Sequence, residues 1–180
     1  MTTAPAMPEV HYERGTRMPL EEYLRTMFHP DREYVDGVAE ERIVGEWDHG
    51  RLQGWLVSLF SAQESKWKIA VAPEVRLQVK PDRFRIPDVM VIGSGEKIDR
   101  YPKTPPLLCV EVLSPEDTWR RLQAVVNDYC EMGVKSVWAL DPETRVAYNC
   151  DLDGFHKTDA LAVPGTDIRF TTSEVFAVLG

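Results

Sequence analysis

The sequence predicts one domain of mixed class (α/β, or α+β), in which a mixed β-sheet is flanked by helices. Leu107–Leu113, Ser114–Met132 and Val134–Leu140 read in order as a buried strand, a helix and a second strand. This order is typical of a parallel pair of strands with a right-handed crossover helix. Glu74–Lys80 alternates apolar and polar side chains, as a half-buried strand does. A chain of 180 residues is long enough to form one such domain with a core of its own.

The first half of the domain contains two predicted helices and one tight turn. Thr16–Phe28 has helical apolar spacing, and Thr16 is a suitable cap. Asp36-Gly37 is a strong turn signal, from which Val38–Val44 returns as a strand. His49–Glu64 carries an apolar stripe and is predicted as the longest helix of this half.

Three strand candidates follow that helix. They are Lys68–Ala72, the alternating Glu74–Lys80, and Arg85–Ile92, which carries Pro87-Asp88. Their order predicts an antiparallel meander that leads into the more buried central strand, Leu107–Leu113.

The second half is predicted from its capping and turn signals. Ser114 caps the helix that follows the central strand, and Gly133 ends it. Arg145–Asn149 and Gly154–Thr158 form a closing hairpin, and Thr171–Phe176 is a short capped helix.

Composition limits the classes of function. The net charge of -8 argues against a protein that holds nucleic acid on a broad basic surface. Three cysteines without a CxxC pair indicate neither a disulfide framework nor a zinc site. Residues 1–15 read as a flexible tail without the features of a secretory signal, and residues 16–180 read as the domain. With no run long and apolar enough to span a membrane, we expect a cytoplasmic protein.

Two acidic residues lie within apolar strands and are the first candidates for a functional site. Glu111 interrupts the apolar run LLCVEVLSP, and Asp88 precedes the apolar run VMVI. Burying a lone carboxylate costs several kcal/mol unless it is paired, protonated or bound to a metal. Two such acids on adjacent strands predict a site for a hard divalent cation such as Mg²⁺. A structural ion pair is the alternative interpretation of each acid.

Several motifs resemble a known family, and the resemblance covers most of the chain from about Met18. In order these motifs are REYVDG, a helix with His49, IPDVMVI, PPLLCVEVLSP, a helix with Tyr129, and GVKSVWALDP. They resemble the Uma2 family of restriction-endonuclease-like proteins, within the PD-(D/E)xK nuclease superfamily. The resemblance implies a restriction-endonuclease-like fold, a homodimer, and cleavage of DNA that depends on Mg²⁺, with Mn²⁺ as a substitute.

The resemblance also assigns roles to individual residues. Asp88 matches the acid of the PD element and Glu111 matches the second acid, so both are expected to ligate the metal. The carbonyl of Val112 is the expected third ligand. Glu33 matches an acid that completes the metal shell or holds a metal-bound water. His49 matches a helical histidine with a secondary role.

The chain departs from the family at the lysine. The superfamily often places a lysine two residues after the second acid, where this chain has Leu113. Family members usually carry the lysine four residues before the tyrosine, where this chain has Val125, and an aspartate one turn earlier, where it has Arg121. One interpretation is that Arg121, or its neighbour Arg120, supplies the positive charge from a displaced position.

Three functions are therefore carried forward from the sequence. The first is a Mg²⁺-dependent endonuclease that acts on DNA, with Asp88, Glu111, Glu33 and Arg121 as its catalytic residues. The second is a catalytically inactive protein with the nuclease fold that works as a binding or regulatory homodimer. The third is metal-dependent hydrolysis of a small phosphorylated molecule, which suits the negative net charge. Fold alone does not separate them.

Overall fold

A computed structural model describes residues 15–43 and 45–180. Apart from Gly15, the predicted tail of residues 1–15 lies outside the described residues, as does Val44 at the end of one predicted strand. The helices, in chain order, are α1 (Leu20–Arg25), α2 (Trp47–Trp67), α3 (Trp119–Met132) and α4 (Thr172–Phe176), with a short 3-10 helix at Ala177–Leu179. None of the helices in the described ranges has the length and apolarity needed to cross a membrane.

The strands form a six-stranded sheet, a five-stranded sheet and one separate pair. In chain order they are β1 (Gly15–Arg17), β2 (Arg32–Val35), β3 (Val38–Glu41), β4 (Ile69–Pro73), β5 (Leu77–Lys80), β6 (Arg83–Arg85), β7 (Val89–Gly93), β8 (Leu108–Val112), β9 (Val137–Asp141), β10 (Val146–Asp151), β11 (Gly154–Thr158), β12 (Ala160–Ala162) and β13 (Arg169–Thr171).

The six-stranded sheet is the mixed sheet that the sequence predicts. Its order is β11-β10-β9-β8-β7-β4, and β8 and β9 are parallel while the other neighbours are antiparallel. The crossover through α3, the end of α3 at Gly133, the hairpin of β10 and β11, and the capped helix α4 are all confirmed.

Helices cover both faces of this sheet, so its central strands are buried. On β8, Leu108, Val110 and Val112 face the core built with α2 and α4, while Cys109 faces the core built with α3. Because side chains alternate along a strand, Glu111 points to the α3 face. The predicted carboxylate in the middle of a buried strand therefore lies under a helix.

The five-stranded sheet, in the order β1-β3-β2-β6-β5, packs against α1 through its own small core. That core contains Tyr23, Tyr34, Ala39 and Phe84. Asp36 and Gly37 form the turn between β2 and β3 with positive φ angles of 50° and 83°, which confirms the predicted turn. Strand β5 also packs Leu77 and Val79 beneath α3, which joins the two sheets into one domain.

The predicted helix over Thr16–Phe28 is wrong at both ends. Gly15–Arg17 is a strand that pairs with β3, so Thr16 lies opposite Ala39 instead of capping a helix. The helix extends only from Leu20 to Arg25, after Pro19. The apolar spacing of this segment contains no information about a strand partner that lies more than 20 residues away along the chain.

The prediction of Ser114 as a helix cap is also wrong. The backbone N–H of Ser114 donates to the Asp117 carboxylate at 2.9 Å, within a turn that precedes the helix. The helix begins at Trp119, and Thr118 is its cap, with its hydroxyl accepting the N–H of Arg121 at 3.3 Å.

The predicted strand Arg85–Ile92 is two strands in two different sheets. β6 ends at Arg85 and pairs with β5, whereas β7 begins at Val89 and pairs with β4 and β8. The predicted meander is therefore wrong. Pro87 has no N–H to donate, which favours a break between the strands. The break places Asp88 at the junction of the two sheets.

Buried ion pairs join the five-stranded sheet to α3. Asp128 of α3 is 2% exposed, and its carboxylate accepts Arg83 and Arg85 at 2.7–2.9 Å. Lys80 of β5 contacts the same carboxylate at 3.2 Å and the exposed Glu131 at 2.8 Å. The arginines hold the pKa of Asp128 below its usual value against the opposing effect of burial.

We expect Asp128→Ala to lower the free energy of unfolding by about 3–5 kcal/mol, because it leaves the buried guanidinium of Arg85 without one partner. Urea denaturation measures the change. Glu131→Ala removes a carboxylate from the same helix but from an exposed pair, and should cost below about 1 kcal/mol. Equal losses in the two variants would show that the buried pairs do not join the sheet to the helix.

Candidate functional site

Asp88 and Glu111 lie side by side at the junction of the two sheets. β7 and β8 are antiparallel with Val89 opposite Val110, so the next position along places Asp88 beside Glu111. The carboxylate of Asp88 accepts the backbone N–H of Val112 at 2.7 Å, which fixes it across the strand ends. Both acids line a cavity of about 30 Å³. A space of that size accommodates a water-sized particle.

Glu111 is held by one hydrogen bond within an environment that disfavours its charge. The hydroxyl of Tyr129, on α3, donates to Glu111 Oε1 at 2.7 Å. Burial and the neighbouring charge of Asp88 raise the pKa of Glu111 well above its usual value, although the Tyr129 hydrogen bond opposes the rise. The pair therefore carries a repulsion that an added cation would relieve.

Both oxygens of Asp88 have further partners. Arg42 Nη2 donates to Oδ1 at 2.8 Å, and His49 Nε2 lies 3.3 Å from Oδ2. Burial lowers the pKa of His49, but the hydrogen bond and charge of Asp88 outweigh burial and raise it overall. Gly45 permits this position of His49, since a Cβ at residue 45 would lie 2.3 Å from the ring.

Glu33 lines the same cavity from β2, but its carboxylate is bound by arginine. Arg85 Nη1 donates to Oε2 at 2.8 Å and the N–H of Ile86 to Oε1 at 3.3 Å. Within residues 15–43 and 45–180, no three His, Cys, Asp or Glu side chains gather as a metal-ligand group. A role for Glu33 in the metal shell stays a prediction.

The two positions at which the family resemblance predicts a lysine are apolar and line the cavity. Leu113 follows β8, and Val125 is a buried residue of α3. Arg121 lies one helical turn before Val125, with Nη2 3.5 Å from Glu33 Oε2 and Nη1 3.1 Å from Asp117 Oδ1. The cation predicted at Arg121 is thus in the cavity wall, nearest to Glu33 among the predicted acids.

The backbone of Val112 is oriented towards Asp88. Its N–H bonds to that carboxylate, whereas the N–H of the next residue, Leu113, bonds to Leu140 on β9. The N–H and C=O of one strand residue point to the same side of the strand. The carbonyl of Val112 therefore faces the β7 side of the strand, as its predicted role as a ligand requires.

Sequence reasoning missed Arg42 and Arg85, the two arginines that contact the predicted acids most closely. Arg85 carried a signal, because a charged residue three positions before Asp88 within an apolar run indicates a buried ion pair. Arg42 carried none, since its contact with Asp88 spans 46 residues and depends on the packing of one sheet against the other.

A larger cavity of about 480 Å³ adjoins the site, and the two share the lining residues His49, Leu113, Ser114, Asp117 and Leu122. Its wall is rich in carboxylates, which belong to Glu46, Asp48, Asp117, Asp141 and Glu143. A phosphate group that entered by this route would meet negative potential, so cations at the site would have to offset it.

Comparisons with known proteins agree with this fold. The model of the family Uma2, described as "Putative restriction endonuclease", matches residues 20–158. The crystal structure of "a putative nuclease belonging to DUF820" from Anabaena variabilis is similar at 18% sequence identity and a TM-score of 0.76. The similarity covers 89% of this chain and 98% of that one. At this identity the likeness shows the fold. No curated protein sequence matches the chain.

The raised pKa of Glu111 predicts a pH-dependent gain in stability for Glu111→Gln when divalent metal is absent. In wild type the folded state disfavours the ionised carboxylate. Its free energy of unfolding therefore falls as pH rises from about 4, where an unfolded glutamate titrates, through the raised pKa. Glutamine removes this penalty and keeps an acceptor for Tyr129.

Urea denaturation in chelator at a series of pH values measures the difference between the two proteins. We expect Glu111→Gln to be more stable than wild type at pH 8, with the gain shrinking towards pH 4. Glu143→Gln, which removes an exposed carboxylate, controls for the loss of a charge. A variant less stable than wild type at pH 8 would contradict the penalty that burial and the charge of Asp88 impose on ionised Glu111.

Proposed function

Since this chain belongs to the Uma2 family of restriction-endonuclease-like proteins, we propose that it is a metal-dependent endonuclease that hydrolyses phosphodiester bonds in DNA. One observation carries the proposal. Asp88 and Glu111 come from two neighbouring strands and line one small cavity, and Asp88 is bonded to the backbone next to Glu111. Two buried carboxylates this close repel each other, and a divalent cation between them would relieve that repulsion.

The donors present fit a hard divalent ion. Mg²⁺ and Mn²⁺ prefer carboxylate and carbonyl oxygens, and usually retain several waters. Asp88, Glu111 and the carbonyl of Val112 supply oxygen donors, and none of the described residues that line the cavity is a cysteine. The raised pKa of Glu111 supports the same interpretation, because its causes are burial first and then the charge of Asp88, which Arg42 offsets incompletely.

We assign the metal-holding role to Asp88, Glu111 and Val112, with Glu33 as the outer acid. A bound divalent ion supplies Lewis acidity and a lowered pKa for a coordinated water. Tyr129 orients Glu111 through its hydroxyl, and His49 contacts Asp88 from α2. These contacts hold the two carboxylates in place, which limits the reorganisation that the reaction requires.

Arg121 is the proposed substitute for the missing lysine. It lies in the cavity wall one turn from Val125, and its guanidinium is partly exposed. A guanidinium is a permanent cation that binds phosphate with two parallel hydrogen bonds, but it does not release or take up a proton at neutral pH. Arg121 is therefore suited to hold a phosphodiester and to offset its charge, and a water must carry the proton.

The apolar side chains of Leu113 and Val125 favour a second function, a catalytically inactive protein that keeps the nuclease fold for binding or regulation. The homodimer and the cytoplasmic location that the sequence suggests stay predictions under either function.

We expect purified protein to cleave DNA only when Mg²⁺ or Mn²⁺ is added, and Asp88→Asn to lower the rate by at least about a hundredfold. Gel assays with single-stranded, duplex and supercoiled DNA measure the rate. Asp151→Asn changes an exposed aspartate on the distant hairpin and serves as the matched control. Cleavage that persists in Asp88→Asn would reject this site.

The same assay separates the two functions when Val125→Lys is added. Lysine at this position would point its ammonium into the cavity, where Glu111 and Asp88 offer partners. If only the missing cation limits the rate, Val125→Lys should raise it by about tenfold or more, whereas the uncharged Val125→Met should not. No metal-dependent cleavage in wild type or in Val125→Lys favours the binding function.

A further inference from the structure

Arg42 extends from the end of β3 into the cavity that contains the two carboxylates. Its side chain is only 12% exposed, and its Nη2 lies 2.8 Å from Asp88 Oδ1. Its Nη1 lies 3.4 Å from Oε1 of Glu74, which is more than half exposed. The charges of Asp88, Glu111 and Glu74 all stabilise this guanidinium. Arg42 is therefore the cation that neutralises Asp88 when no metal is bound.

The two oxygens of Asp88 differ in how easily each can exchange its partner. Oδ2 accepts the N–H of Val112, a backbone group fixed at the end of a buried strand. Oδ1 accepts Arg42, a long side chain with rotatable bonds and a second acceptor. A ligand that competes for Asp88 would meet less resistance at Oδ1.

We propose that Arg42 is a positioning residue that a divalent cation must displace from Asp88 Oδ1, and that Glu74 retains it after displacement. This inference rests on the proposed metal site. Arg42 and a metal ion compete for the same oxygen, and their like charges repel at short range in a poorly solvated cavity. Glu74 would keep the released guanidinium of Arg42 near the cavity, where the guanidinium could bind a phosphate oxygen.

The inference predicts that losing Arg42 strengthens metal binding. Calorimetric titration of Mn²⁺ should give a dissociation constant about ten- to a hundredfold lower for Arg42→Gln than for wild type. Arg42→Lys keeps the charge and should stay near wild type. Arg76→Gln removes an equally buried arginine that pairs with Asp31, away from the cavity, and should leave the constant unchanged.

Thermal unfolding supplies a readout that does not depend on activity. In chelator, Arg42→Gln should unfold at a lower temperature than wild type, because His49 is then the remaining basic group at Asp88 and the repulsion between Asp88 and Glu111 is offset less. Saturating Mn²⁺ should raise its midpoint by more than it raises that of wild type. A structural role for Arg42 alone would lower the midpoint with and without Mn²⁺.

Glu74→Gln is a second variant in case Arg42→Gln does not fold, since residue 74 is exposed. Without the Glu74 carboxylate as a second acceptor, Arg42 should stay bound to Asp88. The dissociation constant for Mn²⁺ should therefore rise a few-fold. In the Arg42→Gln background, the same change should have a smaller effect on the dissociation constant.

The outcomes separate this inference from the proposed function. If wild type binds Mn²⁺ and Arg42→Gln binds it equally or more weakly, the displacement of Arg42 is refuted while the metal site stands. If neither wild type nor Arg42→Gln binds Mn²⁺, the metal site and the displacement are both refuted. Binding by Arg42→Gln but not by wild type would show that the cation cannot displace Arg42, and it would refute both the displacement and a metal site in the natural protein.

Discussion

The candidate site is built around two carboxylates that lie close enough to repel each other. The antiparallel register of β7 and β8 fixes Asp88 beside Glu111, and the N–H of Val112 bonds one to the backbone next to the other. Burial first, and then the charge of Asp88, raise the pKa of Glu111 well above its usual value. A fold that maintains this unfavourable pair must compensate with cations, and the surrounding elements supply them.

The cations come from elements outside the strands that carry the acids. Arg42 follows β3 and neutralises Asp88, Arg85 ends β6 and binds Glu33, and Arg121 begins α3 and contacts Glu33 more weakly. The family resemblance predicts a lysine where this chain has Val125. The cavity is thus surrounded by the permanent charges of arginine side chains, whereas the family resemblance predicts the ammonium group of a lysine. This redistribution favours the binding and orientation of phosphate over proton transfer.

The sequence predicts those parts of the fold that local patterns determine. The parallel pair around α3, the hairpin of β10 and β11 and the site of Glu111 follow from apolar runs, glycines and turn residues. Thr16 and the segment Arg85–Ile92 were misassigned because a distant strand partner determines their conformation. Arg42 could not be identified as a site residue from the sequence, because its contact with Asp88 also joins distant parts of the chain. The acids of the site could be identified from the sequence because a carboxylate within an apolar strand is unusual. Their arginine partners could not, because those contacts depend on how the two sheets pack against each other.

The central claim is that Asp88 and Glu111 form a divalent-metal site, and calorimetric titration of Mg²⁺ into wild type and Glu111→Gln tests it most directly. Glutamine keeps the size of the side chain and an acceptor for Tyr129 but loses the charge, so a difference reports on the metal and not on misfolding. We expect wild type to bind one Mg²⁺ and Glu111→Gln to bind it at least about tenfold more weakly. Equal binding by the two proteins, or no binding by wild type, would contradict the account.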